Sequence, residues 1–335
     1  MITPDSDSRY HPNPELPPPI NGDFAGKHIV SLDQFNPKSL EHLFHVTDKL
    51  KPVGQDGWPL KLLDGQVITL LFYEPSSRTR ASFEAATKQL GGQTIVVENP
   101  QAFSSVSKGE TFEDTIRTFE SYGDAIVLRH PETGFALKAA DAAEFVPIIN
   151  AGDGIGEHPT QALLDLYTVR EHKGELSNIR GLVAGDLLNG RTIHSLIRGL
   201  SLYPGNEIYL LSPDKLRLPL ADFKDFEERG IALHDIGSMD ELPSDLDFWY
   251  WTRVQKERFQ NEDEYNEVNN QFIVTSDILN RYAGPETILM HPLPRVGEIK
   301  EEVDRDPRAV YLRNQIRNGL YTRMALLALV LGKIK

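Results

Sequence analysis

The chain of 335 residues is long enough for about two domains, at roughly 150 residues per domain. Its composition, 40% hydrophobic and 25% charged, is ordinary for a globular protein with sizeable cores. The 49 acidic and 35 basic residues give a net charge of −14, which disfavours non-specific binding to nucleic acid or to anionic membranes. Any anionic ligand must therefore be held by a local group of cations.

The chain contains no cysteine, which excludes disulfides, thiolate metal sites and cysteine nucleophiles. A cysteine-free chain fits a reducing compartment, and no signal peptide or long apolar run is found, so we expect a cytoplasmic protein. No metal-ligand spacing such as HExxH occurs, so neither a metal nor a cofactor is expected. Residues 1–26 are polar, acidic and proline-rich, which predicts a flexible N-terminal arm.

Beyond this arm, short apolar runs alternate with helical patterns, for example Phe83, Ala86 and Leu90 on one face. The predicted strands are Val67–Tyr73, Thr94–Val97, Ala125–Leu128, Val146–Ile149, Leu182–Ala184, Glu207–Leu211, Phe248–Trp251 and Ile288–Met290. These runs are apolar rather than alternating, as expected for strands covered on both faces. The pattern predicts an α/β fold with two doubly wound parallel-sheet domains joined by a hinge.

Two segments bear on the domain division. The run Asn150–Gly156 holds three glycines and is either the hinge or a long turn. The segment Gly319–Leu331 is apolar nearly all round, which predicts a buried helix that packs back on the first domain. We therefore expect a first domain of residues 27–157 plus 319–335 and a second of residues 158–318.

Hydroxyls and arginines gather where the first predicted strand meets a helix, within Phe72–Phe83. Backbone N–H groups at the helix start, the hydroxyls of Ser76, Ser77 and Thr79 and the guanidinium of Arg78 would converge there, with Ser76 or Ser77 as the cap. Several donors suit a phosphate, which has several oxygens. The alternative is a well-capped helix with surface arginines.

Other polar groups follow predicted strands in the same half. Arg129 ends an apolar strand, and open α/β sheets bind ligands at the carboxyl ends of their strands. His158 and Gln161 open a helix and share one face of it. Taken singly, each has a structural alternative, an ordinary ion pair for the arginine and a polar cap for the histidine.

The second half offers a different set of cations. Arg191 lies at a strand-to-helix turn, and Arg253 and Gln255 follow the strand that ends near Trp251. A dicarboxylate needs two charge-matched forks, and a guanidinium binds a carboxylate through two parallel hydrogen bonds. The alternative for this charged run is a solvated helix face.

Two loops complete the candidates. The stretch from Ser104 to Thr111 is small and polar with a single Lys108, which by itself indicates a flexible loop. In His291-Pro-Leu-Pro-Arg295, two prolines fix the backbone and would let the carbonyl of Leu293 face a ligand N–H. His291 itself is expected to be structural.

Several of these motifs, in this order, resemble the aspartate and ornithine transcarbamoylases over roughly residues 27–335. They include Ser76-Ser-Arg-Thr-Arg80, His158-Pro-Thr-Gln161 and Thr252-Arg-Val-Gln-Lys-Glu-Arg258. Ser77 stands where the family usually has threonine. The last motif resembles the aspartate branch, and the cysteine typical of the ornithine enzymes near the His-Pro-Leu-Pro motif is absent.

The resemblance implies that carbamoyl phosphate and L-aspartate react to N-carbamoyl-L-aspartate and phosphate, early in pyrimidine synthesis and without a cofactor. It implies that carbamoyl phosphate is bound by Ser76, Ser77, Arg78, Thr79, Arg129, His158, Gln161, Leu293 and Pro294. It implies that aspartate is bound by Lys108, Arg191, Arg253 and Gln255. Catalysis would fall to Arg78, Thr79, Lys108, Arg129 and His158.

The resemblance further implies a cis bond at Leu293–Pro294 and a homotrimer in which Ser104 and Lys108 reach the site of a neighbouring subunit. It leaves open whether regulatory or dihydroorotase subunits join a larger assembly. Three alternatives also stay open: a transcarbamoylase for ornithine or a related amine, a non-catalytic protein that binds a phosphorylated metabolite, and an unrelated α/β binding module.

Overall fold

A computed structural model describes residues 16–56, 60–100, 109–254, 261 and 272–334. The chain divides into two compact units. The first unit comprises Pro12–Tyr167 and Arg317–Lys335, and the second comprises Thr168–Ile316. Within the described ranges, no helix is long and apolar enough to cross a membrane.

Strands and helices alternate along the chain, as the sequence predicts. The strands are β1 (Val67–Phe72), β2 (Gln93–Glu98), β3 (Ala125–His130), β4 (Ile148–Asp153), β5 (Arg180–Ala184), β6 (Glu207–Leu211), β7 (Ala232–Ile236), β8 (Phe248–Trp251) and β9 (Ile288–Met290). The helices are α1 (Pro37–Asp56), α2 (Ser77–Gln89), α3 (Phe112–Glu120), α4 (Phe135–Ala142), α5 (Pro159–Lys173), α6 (Arg191–Leu200), α7 (Leu220–Glu228), α8 (Ser276–Tyr282) and α9 (Asn314–Val330).

Each unit contains one parallel sheet. The first sheet has the strand order β2-β1-β3-β4, and the second has the order β7-β6-β5-β8-β9. In both, the chain starts near the middle, builds outward on one side and then returns to build on the other, which is the doubly wound arrangement. The predicted fold class, two doubly wound α/β domains, is therefore confirmed.

Burial differs from strand to strand. The central strand β3 is buried at all six residues, whereas the edge strand β2 is partly exposed along its length. Eight strands were predicted, three of them with the bounds that the structure shows. The sequence misses β7, because this edge strand carries exposed polar residues such as His234 and lacks a continuous apolar run.

The run Asn150–Gly156, expected to be either the hinge or a long turn, is divided between a strand and a turn. Asn150 and Asp153 lie within β4, and only the residues that follow form the turn. The two compact units meet in sequence at Tyr167/Thr168, within α5. The predicted boundary between residues 157 and 158 stays a prediction.

The part of the predicted N-terminal arm that the structure describes is packed against the first unit. Ile20 is fully buried and Phe24 nearly so. The N–H of Ile20 donates to the carbonyl of Gln34 at 2.7 Å, and the N–H of Gly26 donates to the carbonyl of Val330 at 2.8 Å.

Helix α9 belongs to the first unit over most of its length, and every residue from 321 to 330 is buried. This confirms the prediction that the C-terminal helix packs back on the first domain. Its Arg323 is buried and donates to the hydroxyl of Ser82 on α2 and to the carbonyl of Gly319, both at 3.0 Å. The guanidinium also lies over the ring of Phe83, 5.2 Å from its centroid. Arg323 therefore ties α9 to α2.

Burial lowers the pKa of Arg323 to about 10, against an opposing effect of the buried carboxylate of Asp165. We expect Arg323→Met to destabilise the protein by about 3–5 kcal/mol, because the change leaves Asp165 without this buried countercharge. The free energy of unfolding in denaturant measures the effect. Arg317→Met, an exposed position on the same helix, is the matched control and should stay within about 0.5 kcal/mol of the original chain. Equal losses for both variants would contradict the anchoring role.

Candidate active site

The first sheet reverses its direction of growth between β1 and β3. These strands are parallel neighbours, and Phe72 at the end of β1 pairs in register with Arg129 near the end of β3. In open α/β sheets, ligands bind outside the carboxyl ends of the strands at such a switch point. Two of the predicted anion-binding elements, the start of α2 and Arg129, therefore meet where this fold usually binds a ligand.

Helix α2 begins directly after the loop that follows β1. Ser76 occupies the N-cap position with extended backbone, but its side chain makes no capping hydrogen bond, contrary to the predicted cap. Ser77 and Arg78 are exposed, whereas Thr79 is buried. The first N–H groups of a helix lack partners within the helix, so this turn offers donors to an anion.

Arg129 is held against the end of the sheet. Its guanidinium donates to the carbonyl of Ala151 at 3.2 Å and forms an ion pair with Glu74 at 2.7 Å. Gly152 leaves room for the guanidinium of Arg129, because a Cβ at position 152 would lie 2.8 Å from Nη1. Its φ of +127° also favours glycine. A larger residue at 152 would displace the guanidinium.

Glu74 is a feature that the sequence analysis missed. It lies in the loop between β1 and α2, and its side chain is about one-third exposed while the Arg129 side chain is almost fully buried. The sequence feature that could have pointed to Glu74 is an acidic residue directly beside a predicted anion-binding loop. Because Glu74 already neutralises Arg129, an incoming phosphate must compete with this carboxylate or share the guanidinium with it.

His158 is placed by the connection between β4 and α5. Asp153 accepts the N–H groups of Gly134 and Phe135 at 2.9 and 3.1 Å, and burial raises its pKa to about 6. Glu157 accepts from the Ser31 hydroxyl at 2.6 Å. Both carboxylates are thereby occupied by structural hydrogen bonds, and they fix the loop that precedes the histidine.

His158 and Gln161 occupy the start of α5, as predicted. His158 is buried, and its carbonyl accepts the N–H of Gln161 at 2.9 Å. The side-chain amide of Gln161 donates to both oxygens of Asp165, at 3.1 and 3.2 Å. Asp165 was also missed by the sequence analysis, although it lies one helical turn after Gln161.

The second sheet has its switch point between β5 and β8, which pair in register at Ala184 and Trp251. The carbonyl of Ala184 accepts both the N–H and the hydroxyl of Thr252, at 2.8 and 3.0 Å. Gly185 has a φ of +114°, and a Cβ there would lie 2.3 Å from the carbonyl oxygen of Thr252. Only glycine fits where these two strand ends meet.

The arginines of the second unit lie beside this contact. Arg253 directly follows Thr252, and Arg191 is the first residue of α6, on the connection that leaves β5. Both are partly buried. The fold therefore places these two cations on connections from neighbouring strands, at the carboxyl edge of one sheet.

The loop after the adjacent strand β9 is held by a buried pair. His291 Nδ1 accepts the N–H of Leu293 at 2.8 Å, so Nε2 carries the proton and donates to Glu298 at 2.7 Å. Burial is the largest single effect on Glu298 and by itself would raise its pKa, but the hydrogen bond from His291, the charge attraction to His291 and two backbone N–H donors together hold the pKa below its usual value. The contacts fit the expected structural role of His291.

Leu293 has a φ of +57°, and the predicted cis bond between Leu293 and Pro294 is present. Leu293 is partly buried and Pro294 is exposed. Three further predicted site residues, Ser104, Lys108 and Gln255, lie outside the described residues. Among the residues whose placement is given, no group of three or more metal-ligating side chains is found.

Comparisons with known proteins agree with this arrangement. The family described as aspartate/ornithine carbamoyltransferase, carbamoyl-P binding domain, matches residues 27–171, and its Asp/Orn binding domain matches residues 177–330. The aspartate carbamoyltransferase catalytic subunit of Methanosarcina acetivorans is 46% identical over 312 residues, which cover 93% of this chain and 99% of that protein. The multifunctional protein pyr1-3 of Dictyostelium discoideum is 48% identical over 92% of this chain, but the chain spans only 14% of that protein.

Solved structures give the same result. The catalytic subunit of M. jannaschii aspartate transcarbamoylase superposes with a TM-score of 0.85 at 40% identity, covering 92% of this chain and 100% of that chain. Aspartate transcarbamoylase from Trypanosoma cruzi, in complex with carbamoyl phosphate, superposes with a TM-score of 0.85 at 38% identity, covering 93% and 98%. The chain therefore belongs to the aspartate/ornithine carbamoyltransferase family, within its aspartate carbamoyltransferase branch.

Proposed function

We propose that the chain transfers the carbamoyl group of carbamoyl phosphate to the α-amine of L-aspartate, giving N-carbamoyl-L-aspartate and phosphate for pyrimidine synthesis. The observation that carries the proposal is the position of the arginines. Arg129 and the start of α2 lie at the switch point of the first sheet, and Arg191 and Arg253 follow the strands at that of the second.

In this proposal the first unit binds carbamoyl phosphate. The N–H groups and hydroxyls at the start of α2 bind the phosphate oxygens together with Arg78 and Arg129. The support is that the exposed start of α2 follows β1, the neighbour of the strand that carries Arg129, and that charge-assisted bonds suit a dianion. Gln161 binds the carbamoyl amide. Leu293 and Pro294, which belong to the second unit, supply backbone carbonyls to the same group.

The second unit binds L-aspartate in the same proposal. Arg191 and Arg253 each form a charge-assisted pair with one carboxylate, which matches the two acidic groups of the substrate. Gln255, and Lys108 from a neighbouring subunit, complete the set that the family resemblance implies. Ornithine, which has one carboxylate and a second cationic amine, would leave one of these guanidinium groups unmatched and add a repelling charge.

The reaction proceeds without a protein nucleophile. The aspartate amine attacks the carbamoyl carbon, the new C–N bond forms, and the bond from that carbon to the phosphate oxygen breaks. Negative charge that builds on the carbonyl oxygen is stabilised by Thr79, Arg129 and His158. Arg78 and Lys108 neutralise the departing phosphate, whose oxygens take the amine proton. The main task of the protein is to position two charged substrates.

Product identification tests the function. Purified protein is given carbamoyl phosphate with either L-aspartate or ornithine, and the carbamoylated product is identified by mass. We expect N-carbamoyl-L-aspartate from the first mixture and no citrulline from the second. Citrulline alone would favour the ornithine alternative. The absence of product in both mixtures would favour a binding protein, and a titration with carbamoyl phosphate would then show whether its ligand is that molecule.

We also propose a homotrimer in which Ser104 and Lys108 act in the site of the neighbouring subunit. The support is the resemblance of the stretch from Ser104 to Thr111 to the corresponding family loop. A Lys108→Ala chain and an Arg129→Ala chain, each nearly inactive alone, should regain activity when mixed, because some mixed sites combine an intact Lys108 with an intact Arg129. Absence of recovery after confirmed subunit exchange would contradict a shared site.

Larger assemblies and location are part of the same proposal. We propose that the chain works with regulatory or dihydroorotase partners, and the support is that relatives such as pyr1-3 and the CAD protein of Squalus acanthias are named multifunctional proteins. The cytoplasmic location stays a prediction from the cysteine-free composition, and the matching proteins of Pisum sativum and Arabidopsis thaliana are named chloroplastic.

A further inference from the structure

A buried carboxylate lies directly behind Gln161. Asp165 is one helical turn further along α5, and it is completely buried. Its two oxygens accept hydrogen bonds from the same nitrogen of Gln161, at 3.1 and 3.2 Å. This contact lies within the first unit and joins a predicted site residue to a residue for which the proposed reaction has no role.

The carboxylate of Asp165 decides which way the amide of Gln161 faces. An ionised carboxylate has acceptor oxygens only, so the nitrogen of the amide must point to Asp165 and its oxygen must point away. The buried guanidinium of Arg323 supports the charged form, because the two groups attract each other. The oxygen of Gln161 is thereby presented to a ligand as an acceptor.

We propose that Asp165 is a positioning residue that makes the site selective for an acyl phosphate with an N–H group over one with a methyl group. The inference rests on the proposed function and adds to it the origin of the preference for the carbamoyl donor. An amide that flipped would turn its own N–H groups toward the carbamoyl N–H groups, and two donors would then face each other without an acceptor.

Acetyl phosphate separates this role from a merely structural one. It has nearly the same shape as carbamoyl phosphate, but a methyl group replaces the amide nitrogen, so it gains nothing from an acceptor at Gln161. A variant that only loosens the fold weakens the binding of both compounds in parallel. A variant that frees the amide weakens the binding of carbamoyl phosphate selectively.

The experiment measures the dissociation constants of carbamoyl phosphate and acetyl phosphate by calorimetric titration in the absence of aspartate. In Asp165→Asn the new side chain both donates and accepts, so Gln161 can bind it in either orientation. We expect the preference for carbamoyl phosphate to fall by about 5- to 100-fold, the range for one mismatched hydrogen bond, with acetyl phosphate binding nearly unchanged.

Tyr167→Phe is the matched control. Tyr167 lies on α5, like Gln161 and Asp165, and the variant removes its 2.7 Å hydrogen bond to Asp48 of α1. The contact between Gln161 and Asp165 stays intact, so the preference for carbamoyl phosphate over acetyl phosphate should equal that of the original chain. An unchanged preference in Asp165→Asn, or a parallel loss of both ligands, would overturn the inference. If Asp165→Asn does not fold, Asp165→Ser is measured instead. A selective loss of carbamoyl phosphate binding is again expected, and an unchanged preference or a parallel loss would again overturn the inference. Failure of the original chain to bind carbamoyl phosphate would instead overturn the proposed function itself.

Discussion

Arg129→Ala should lower kcat for carbamoyl transfer by about 10²- to 10³-fold, because it removes a charged donor from the carbonyl oxygen where negative charge develops. The guanidinium is almost fully buried and is held at the end of β3 by the carbonyl of Ala151 and by Glu74. Steady-state kinetics with both substrates varied measure the effect, and inorganic phosphate should also bind more weakly to the variant.

The control for this result is Arg117→Ala in the same unit. Arg117 is exposed and forms a 3.7 Å ion pair with Asp114 along α3, and such surface pairs contribute little. We expect its kcat to stay within about twofold of the original value. If Arg129→Ala were as active as this control, the assignment of Arg129 to the reacting group would be wrong.

Arg253→Ala should weaken aspartate binding by at least about tenfold, and up to about 100-fold, while carbamoyl phosphate binding stays nearly unchanged. The magnitude corresponds to a net loss of about 1.5–3 kcal/mol for the charge-assisted contact with one carboxylate. The selectivity follows from placement, because Arg253 lies at the edge of the second sheet and not in the unit that holds Arg129. Separate titrations of the two ligands measure it.

Arg281→Ala is the matched control in the second unit. Arg281 is largely exposed on α8 and pairs with the equally exposed Asp240 at 3.4 Å. Its removal should leave the affinities for both ligands unchanged. An equal loss of affinity for carbamoyl phosphate and aspartate in Arg253→Ala would argue against the assignment of one substrate to each unit.

Much of the architecture is encoded locally. Strands β6, β8 and β9 have the predicted bounds because each is a short apolar run that ends at polar or turn-forming residues. Strand β4 continues to Asp153, beyond its predicted end at Ile149. The prediction stopped early because Asn150 and Gly152 are residue types that are common in turns. The side-chain amide of Asn150 donates to the carbonyl of Val30 at 2.9 Å. Val30 is 120 residues earlier in the sequence, so this contact, which favours the extended backbone, depends on the tertiary fold.

The candidate site divides in a similar way. Arg129, His158 and Arg191 can be chosen from the sequence because each lies at a strand end or a helix start, where ligands usually bind. Glu74 and Asp165 cannot, because their importance comes from the partners that the fold brings to them. The ion pair between Glu74 and Arg129 joins the loop after β1 to β3. Asp165 is attracted by the charge of Arg323, which comes from the far end of the chain.

The most direct test of the whole account is a crystal structure of the protein with carbamoyl phosphate and succinate, a dicarboxylate that lacks the reacting amine. The account predicts phosphate oxygens within hydrogen-bonding distance, about 3 Å, of the guanidinium groups of Arg78 and Arg129. It predicts the succinate carboxylates at the same distance from Arg191 and Arg253. Binding of either ligand away from its pair of arginines would contradict the account.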